Sequence, residues 1–379
     1  DLNGGNIIFH GKKKEFDDID IKRKKLKIDL KNSIKLNGVC SNNIQNEDFI
    51  IPLNCLVSIS GVSGSGKSSL IHKVLVPTIK QYIADKSYNK TLIKNINGID
   101  NIKSIVELTQ SQIGINSRSI VATYLNVFDR IRDIYASLDI VKEFKFNKSY
   151  FSFNSSIGAC ETCKGLGEVE NSICPNCLGQ RYKPEVLDVK YNNLSIFEVL
   201  NTPITQLFKI FNDKKLNFAF EILQKLGLSH ITLGRTTPTL SGGEAQRLKL
   251  AKTLIESFSK IKQGNFLFVL DEPTTGLNQK DIIKIYSIFN EILSFGNSII
   301  IIEHNLDIIR NSDFIIDIGI GSGKDGGQNI FSGSFENLLK NNISLTAKAF
   351  RREFDKIENI KINKLILKAK MPKDVQKKC

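Results

Sequence analysis

The amino-acid sequence predicts an α/β fold in which a largely parallel sheet carries helices on both faces. The apolar stretches FLFVL at 266–270 and SIIII at 298–302 have the length of buried strands, and a helical pattern separates them. Strands that alternate with helices are typical of parallel sheets. A third strand, CLVSIS at 55–60, leads directly into a glycine-rich loop. This alternation and the loop together predict the fold class.

Composition limits the kind of protein that this chain can be. Its 379 residues include 53 lysines and arginines against 39 aspartates and glutamates, a formal net charge of +14. Such an excess favours a polyanion such as nucleic acid as a partner, and a solvated basic surface is the alternative. The apolar stretches are far shorter than the roughly 20 residues that cross a bilayer. We therefore expect no membrane contact.

The first residue and the cysteines bear on location. The chain opens on Asp1 rather than on methionine and shows no charged leader followed by an apolar stretch, so we expect a piece of a longer protein that is not secreted. Seven cysteines in a chain of this length do not indicate a disulfide framework. These features predict a cytoplasmic protein.

The glycine-rich loop GVSGSGKSS at 61–69 has the spacing G-x-x-x-x-G-K-S between a predicted strand and a predicted helix. Its glycines let the backbone curl so that N–H groups face phosphate oxygens at a helix N-terminus. Lys67 would pair with the β and γ phosphates of a nucleotide, and Ser68 would bind Mg²⁺. A fortuitous glycine-rich turn is the alternative. The predicted nucleotide-binding residues of the loop are Gly61, Ser63, Gly64, Ser65, Gly66, Lys67, Ser68 and Ser69.

Two carboxylates end the apolar strand FLFVLDEP at 266–273. A nucleotide hydrolase needs two such groups: Asp271 can hold Mg²⁺ through water, and Glu272 can polarise the water that attacks the γ phosphate. A pair of exposed acidic residues at the end of a strand is the alternative. The assignment therefore depends on the other motifs in the chain.

Four cysteines near the middle of the chain follow the spacing C-x₂-C-x₁₀-C-x₂-C. They are Cys160, Cys163, Cys174 and Cys177. Zn²⁺ in a structural site takes four tetrahedral thiolates, and each C-x-x-C turn presents two of them. Free thiols or redox pairs are the alternative. The pattern predicts a structural zinc site, because four protein ligands leave no open position for catalysis.

Further motifs complete a known set. They are TLSGGEAQR at 239–247, DEPTTGL at 271–277, IIIIEHN at 299–305 and Gln110 in ELTQSQIG. With the glycine-rich loop, these stretches resemble the signature, the Walker B motif with its D-loop, the switch histidine and the Q-loop of ABC ATPases. The form LSGGEAQRLKLA is similar to the UvrA family, the ATPases of the ABC excinuclease. The resemblance extends from about residue 31 to 340 and matches the second, C-terminal, of the family's two ATPase modules.

The resemblance implies a P-loop NTPase fold of the ABC ATPase type with an inserted helical signature subdomain that carries the zinc module. It also implies that ATP lies between two modules, with Ser241, Gly242 and Gly243 reaching the γ phosphate in the opposite module's site. The residues implied to act in catalysis are Glu272, Lys67, His304 and Gln110, with His304 sensing the γ phosphate. The remaining histidines belong to no motif and are expected to be structural or exposed: His10, His72 and His230.

The same resemblance implies how the chain is divided. The predicted parts are the end of a preceding ATPase module with a basic linker (1–30), the first part of the ATPase core (31–114), an inserted signature and DNA-binding subdomain (115–235) with the zinc module at about 150–190, the second part of the core (236–340) and a basic C-terminal tail (341–379). GGNIIFHG at 4–11 resembles GGQNIFSG at 326–333, which supports the first part, although chance can produce such a match. Helical patterns are expected around 121–142, 218–227 and 279–293.

The resemblance implies a DNA-binding ATPase that recognises damage in nucleotide excision repair, with ATP, Mg²⁺ and Zn²⁺ as cofactors. ATP hydrolysis would control the dimer and its state on DNA, and this chain alone would hydrolyse ATP poorly because it holds half of each site. The implied partners are double-stranded DNA, contacted by Arg118 and Arg181, the first ATPase module of the same protein, a second copy of the full-length protein, and a UvrB-type partner that binds outside this chain.

Two departures from the family weaken the prediction of DNA contact. Only KGLGEVENSI separates the cysteine pairs, where the family has a longer hairpin, and Ile115 stands where the family usually has an arginine. A UvrA-like paralogue in antibiotic resistance or self-protection, with reduced DNA probing, is therefore the main alternative. The ATPase component of a membrane transporter is a second alternative, against which the cysteine pairs and the signature argue.

Overall fold

The computed structural model describes residues 23–108, 118–275, 277 and 279–355. They form two compact units. The core unit contains the described residues up to 108, residues 260–273 and the described residues from 286 onward; the insertion unit contains those from 118 to 259 and from 274 to 285. The domain boundaries expected from the sequence stay predictions.

The strands are numbered along the chain. They are β1 (Ser33–Ser41), β2 (Ile44–Pro52), β3 (Leu56–Ser60), β4 (Asn95–Asn97), β5 (Ser104–Leu108), β6 (Glu168–Val169), β7 (Ser172–Ile173), β8 (Lys190–Tyr191), β9 (Leu194–Ser195), β10 (Phe266–Asp271), β11 (Ser298–Ile302), β12 (Phe314–Gly319) and β13 (Gln328–Gly333).

The helices are numbered in the same way. They are α1 (Val76–Asp85), α2 (Val121–Tyr124), α3 (Phe128–Ala136), α4 (Asp139–Glu143), α5 (Pro184–Leu187), α6 (Ile196–Asn201), α7 (Ile204–Ile210), α8 (Lys214–Lys225), α9 (Gly242–Glu256), α10 (Phe258–Gln263), α11 (Gln279–Ser294), α12 (Leu306–Asn311) and α13 (Phe335–Leu338). A π-helix, Ser69–Leu75, precedes α1, and 3₁₀ helices lie at Lys148–Phe151, Thr237–Thr239 and Gly323–Asp325. Within the described part of the chain, none of the helices is long and apolar enough to cross a membrane.

A six-stranded sheet runs through the core unit in the order β13-β12-β3-β11-β10-β5. The strands from β12 to β5 are parallel, and β13 pairs antiparallel with β12 at the edge. Every residue of β3, β10, β11 and β12 is buried. A parallel sheet covered on both faces needs apolar residues on both faces, which explains the unbroken apolar runs in the sequence. The predicted α/β fold is confirmed.

A smaller antiparallel sheet, in the order β2-β1-β4, belongs to the same unit. In β1, the buried Ile34 and Leu36 flank the exposed Lys35, the alternation of a strand with one face on the core. These side chains join one hydrophobic cluster with the π-helix, α1 and the main sheet. The cluster holds the helix that follows the glycine-rich loop against both sheets.

The segment before β1 is anchored in the core unit by a buried arginine. The Arg23 guanidinium lies 2.8 Å from Asp313 Oδ1, and both side chains are fully buried. Asp313 also accepts hydrogen bonds from the backbone N–H groups of Leu26 and Leu56. The carboxylate therefore joins the segment before β1, the start of β3 and the start of β12.

The first residues of the predicted basic tail pack on the core unit. Residues 345–355 are helical, and the buried Ala347 and Phe350 pack against α13 and β12. The hydroxyl groups of Ser344 and Thr346 donate hydrogen bonds of 2.6 and 2.7 Å to the buried carboxylate of Asp317. This part of the tail thus belongs to the core unit.

The insertion unit is mainly helical, and the bounds of its helices differ from the predicted stretches. The stretch around 121–142 forms α2, α3 and the start of α4 rather than one continuous pattern. Asn126, between α2 and α3, has φ of 58°, in the left-handed region that interrupts a right-handed helix. Helix α8 begins earlier than predicted because Asp213 caps the N–H groups of Lys215 and Leu216.

Candidate nucleotide site and four-cysteine module

The loop at 61–69 connects the carboxyl end of β3 to the π-helix, as the sequence predicts. Gly61, Gly64 and Gly66 have φ of 133°, 75° and 112°, values that favour glycine strongly. A side chain at position 61 would also collide with the backbone carbonyl of Ile318. The tight curl of the loop therefore requires these glycines.

Lys67 lies inside this curl. Its ammonium group donates hydrogen bonds to the carbonyl oxygens of Gly61 and Val62, at 2.9 and 2.8 Å. Burial lowers the pKa of Lys67, and the carboxylates of Glu272, Asp317 and Asp271 oppose that shift. A buried cation in a curl of backbone N–H groups forms a surface suited to an anion.

A cavity of about 350 Å³ opens beside the loop. Its lining residues are Asn42, Asn43, Gly64, Gly66, Lys67, Ser68, Ser69 and Gly323. The Oγ atom of Ser65 is buried and has no hydrogen-bond partner among the described residues. A buried hydroxyl without a partner is uncommon in native proteins, and a phosphate oxygen in the loop is a chemically suitable acceptor.

The two predicted carboxylates lie near the loop, at the carboxyl end of β10. Asp271 is only 7% exposed. Glu272 has φ of 44°, and its backbone N–H donates to the carbonyl oxygen of Ile302 at the end of β11, at 3.0 Å. His304 follows β11, and its Nε2 lies 3.7 Å from Glu272 Oε1. Strand order alone brings these residues together, because β10 and β11 are neighbours.

The electrostatics around His304 favour the neutral imidazole. Burial lowers its pKa, the positive charge of Lys67 lowers it further, and Glu272 and Asp271 act in the opposite direction. The structure therefore places Lys67, Asp271, Glu272 and His304 in one electrostatically coupled group. Gln110, the fourth residue implied to be catalytic, lies outside the described residues.

A histidine from outside the predicted motifs joins this group. His72 lies on the π-helix, and its Nε2 is 3.2 Å from Asp271 Oδ2. The hydrogen bond to Asp271 raises the pKa of His72, and burial opposes it. The sequence offers one indication that His72 lies near the site: it is five residues after Lys67, on the helix that leads away from the loop.

The signature forms the N-terminus of α9 in the insertion unit. Ser241 is the N-cap, and it forms reciprocal hydrogen bonds with Glu244, the arrangement known as a capping box. Ser241 and Gly242 are exposed, and a side chain at position 242 would meet no atom within 4 Å. The start of the helix is therefore accessible from solvent.

Glu244 is the centre of a second group that the motifs do not predict. It accepts hydrogen bonds from His230 Nε2 at 2.8 Å and from the guanidinium of Arg235 at 3.0 Å. Burial favours the neutral acid, but hydrogen bonds from His230 and Ser241 and the charge of Arg235 outweigh it. They lower the pKa of Glu244 to about 2. His230, expected to be structural or exposed, thus supports the signature helix.

The four predicted cysteine ligands converge in the insertion unit. All four are buried, and their sulfur atoms lie within 4.8 Å of one another. The distance is 3.9 Å between Cys160 and Cys174, and 3.6 Å between Cys163 and Cys177. Four thiolates about 2.3 Å from Zn²⁺ at the corners of a tetrahedron are about 3.8 Å apart. The geometry fits zinc.

Neighbouring N–H groups donate to two of the four sulfur atoms, although burial raises the pKa of Cys177 to about 12. The backbone N–H of Gly167 donates to Cys163 at 3.2 Å, and that of Arg181 donates to Cys177 at 3.4 Å. Burial favours the neutral thiol of Cys160, but N–H groups of Cys163 and Thr162 outweigh it and lower its pKa to about 7. Such contacts to metal-bound sulfur are typical of built metal sites.

The ten residues between the cysteine pairs form a very short hairpin. Strands β6 and β7 contribute two residues each, and Glu170 and Asn171 turn the chain with positive φ. Arg181 does not extend freely from the module, because its guanidinium lies 5.3 Å from the centre of the Phe153 ring. Arg118 is exposed, and Ile115 lies outside the described residues.

The fold and the arrangement of the loop, the two carboxylates and the histidine define a P-loop ATPase of the ABC type. The ABC transporter family matches residues 44–275. That match covers more than half of the chain, and the chain belongs to this family.

Within the family, the chain is similar to UvrABC system protein A. It is 39% identical to the protein of Clostridium acetobutylicum over 332 residues, 85% of this chain and 35% of the relative. It is 40% identical to the protein of Mycoplasma genitalium over 327 residues, 83% and 34% of the two chains. The crystal structure of UvrA2 from Deinococcus radiodurans matches with a TM-score of 0.77 and 33% identity, over 89% of this chain and 41% of that one.

These similarities confirm the resemblance to UvrA that the motifs predict. The chain spans about a third of the length of the curated relatives it matches.

Proposed function

We propose that this chain is the second ATPase module of a UvrA-type protein that couples ATP binding and hydrolysis to DNA binding in nucleotide excision repair. The observation that carries the proposal is the presence, in one chain, of a complete loop and carboxylate site and a four-cysteine module. The 33% identity to a UvrA2 structure over 89% of the chain supports it.

The residues around the loop have distinct roles in this proposal. The backbone N–H groups of residues 61–69 surround the phosphates, and Lys67 exchanges its carbonyl partners for the β and γ phosphates. Ser68 and Asp271 supply hard oxygen ligands of the kind that Mg²⁺ prefers. When bound, Mg²⁺ would neutralise charge on the phosphate oxygens. Glu272 polarises the attacking water, and the neutral imidazole of His304 senses the γ phosphate.

The signature has its role at a second module. Ser241, Gly242 and Gly243 lie at the accessible N-terminus of α9, where backbone N–H groups and the helix dipole favour an anion. We propose that they contact the γ phosphate in the opposite module's site, and that Gln110 belongs to the Q-loop. Because each complete site needs two modules, this chain by itself should bind nucleotide and hydrolyse it slowly.

The four cysteines hold a structural zinc ion in this proposal. Four protein sulfurs close the coordination shell, so the ion stabilises the insertion unit and takes no part in hydrolysis. The cysteine module would then be a rigid part of the proposed DNA-binding surface.

The proposed partners are double-stranded DNA, the preceding ATPase module, a second copy of the full-length protein and a UvrB-type protein. The proposed location is the cytoplasm.

DNA contact should be mainly electrostatic. The net charge of +14 and exposed groups such as Arg118 favour contact with phosphates, and binding of that kind weakens steeply as salt rises.

The experiment that tests the proposed function uses the full-length protein that contains this chain and measures its ATPase rate with intact and with damaged duplex DNA. We expect damaged DNA to change the rate. An ATPase that ignores both DNAs would contradict a role in repair.

A specific feature favours a second candidate, a UvrA-like paralogue in antibiotic resistance or self-protection. The hairpin between the cysteine pairs has only two residues in each strand, so it offers little length with which to reach DNA. In this case the ATPase should be active and indifferent to DNA. The measurement above therefore separates the two candidates.

A further inference from the structure

His72 is attached to a carboxylate that the proposed function assigns to Mg²⁺. Its Nε2 lies 3.2 Å from Asp271 Oδ2, with 24% of the histidine side chain and 10% of the aspartate side chain exposed. An ionised carboxylate only accepts hydrogen bonds, so Nε2–H of His72 must be the donor. The contact joins the helix after the phosphate loop to the end of β10.

We propose that His72 is a positioning residue for Asp271: it holds the carboxylate in one orientation, ready for the Mg²⁺ that accompanies the nucleotide. The inference rests on the proposed role of Asp271. Groups that bond to metal ligands fix their orientation, and their removal typically costs 10- to 100-fold in metal affinity or activity. His72 does so from the helix that directly follows Ser68, the other proposed oxygen ligand.

The location of His72 supports a role in positioning over one in stability. A partly exposed ion pair contributes roughly 0–1 kcal/mol to folding, so the contact between His72 and Asp271 adds little to stability. The π-helix Ser69–Leu75 is itself informative, because short π-helical segments occur frequently at functional sites. The hydrogen bond between His72 and Asp271 thus connects this helix to the end of β10.

The test measures how strongly nucleotide binding depends on Mg²⁺. Binding of a fluorescent ATP analogue is followed by anisotropy while Mg²⁺ is titrated, and again in EDTA, for the wild-type chain and for His72→Ala, His72→Gln and Lys73→Ala. We expect His72→Ala to raise the half-saturating Mg²⁺ concentration about tenfold. Its affinity in EDTA should stay within about twofold of wild type, because the backbone and Lys67 hold the phosphates without the metal.

The other variants control for the position and for the hydrogen bond. Gln can donate from its amide to the same carboxylate, so His72→Gln should recover most of the Mg²⁺ dependence. Lys73 is the exposed neighbour on the same helix, and Lys73→Ala should behave as wild type. If thermal unfolding shows that His72→Ala does not fold, His72→Leu, which keeps bulk and lacks a donor, takes its place with the same expectation.

Three results would overturn the proposal, and they can be told apart. One is an unchanged Mg²⁺ titration in His72→Ala while wild type depends strongly on Mg²⁺, which leaves the proposed function intact. Another is an equal loss of affinity with Mg²⁺ and in EDTA, which assigns His72 to structure. A wild-type chain that binds nucleotide without regard to Mg²⁺ would contradict the assignment of Asp271 itself, and the inference would fail with it.

Discussion

Glu272 and His304 meet at the ends of two neighbouring parallel strands, with Lys67 and Asp271 beside them. The lowered pKa of His304, caused by burial and by Lys67, keeps the imidazole neutral at pH 7, so it can accept or donate a hydrogen bond without adding a second cation. The Nε2 atom of His304 lies 3.7 Å from Glu272 Oε1. Asp271 is bonded to His72 and Glu272 lies beside His304, so the two neighbouring carboxylates have different surroundings.

Glu272→Gln should separate binding from hydrolysis. The amide keeps the shape of the side chain but cannot polarise water as a carboxylate does, so we expect ATP affinity within about twofold of wild type and hydrolysis reduced about 100-fold or more. The measurement is ATP binding and steady-state phosphate release by the full-length protein. Glu143→Gln changes an exposed carboxylate on α4 and is the matched control. Hydrolysis near the wild-type rate in Glu272→Gln would show that the Glu272 carboxylate is not needed for hydrolysis.

Among the helices, α9 shows which contacts fix the position of the signature at a helix start. Its capping box joins Ser241 and Glu244, and His230 and Arg235 approach the same carboxylate from the preceding segment. Since a capping residue and its partner satisfy N–H groups that the helix leaves unpaired, this group sets the position of the helix start. The short hairpin of the cysteine module is a second element whose geometry depends on a small number of fixed contacts.

The pKa of Glu244 predicts how the insertion unit responds to acid. Its folded-state pKa, about 2, lies below the ordinary value of 4.5. The stabilisation is therefore fully present above pH 4.5 and is lost as pH falls from 4.5 toward 2. Glu244→Gln should lower the free energy of unfolding by about 2 kcal/mol at pH 7, and the difference from wild type should shrink at pH 3. A difference that is constant from pH 7 to 3, or an equal effect of the exposed Glu185→Gln, would contradict this account.

The cysteine module should lose its metal when one ligand is removed. We expect the purified chain to contain one zinc ion by elemental analysis, and Cys174→Ser to contain almost none. Because metal binding and folding are coupled in such sites, the variant should also lower the unfolding free energy of the insertion unit by several kcal/mol. Cys40→Ser alters an exposed cysteine outside the module and should retain zinc. Equal metal content in both variants would show that these sulfurs are not the ligands.

At the scale of the whole molecule, contacts between distant parts of the sequence close the core unit. Arg23 and Asp313 are 290 residues apart in the chain and form a fully buried ion pair. Asp317, in β12, accepts hydrogen bonds from Ser344 and Thr346 in the segment after α13. The residues at both ends of the described core are therefore part of its structure.

Arg23→Ala should destabilise the core unit far more than loss of a surface charge. Removing one partner leaves Asp313 charged and buried without compensation, which costs about 3–5 kcal/mol. The measurement is the free energy of unfolding in urea, with Lys24→Ala, an exposed neighbour, as control. A cost below about 1 kcal/mol would mean that Asp313 is satisfied by the backbone N–H groups of Leu26 and Leu56 alone.

Local patterns carried much of the prediction. The structure has a strand at 298–302 and a helix at 279–294, within one residue of the predicted bounds. Long apolar runs and strong periodicity favour one type of secondary structure clearly over the others. The pattern around 121–142 was less informative, since Asn126 takes a left-handed conformation that no spacing of apolar residues reveals. The contacts of His72 and His230 were not predicted for a different reason: their partners, Asp271 and Glu244, are 199 and 14 residues away, and neither histidine itself lies in a predicted motif.

Short stretches of the sequence were enough to identify four features: a glycine-rich loop, a strand that ends in two carboxylates, a signature and two cysteine pairs. Each depends on residues close together in the chain, so spacing was enough to find them. The side chains that contact these features, such as His72 beside Asp271, are known from the fold alone. The strand order brings β10 beside β11 and the helix after β3 beside Asp271, and the order of strands in a sheet depends on packing across the whole core. Local spacing carries no information about it.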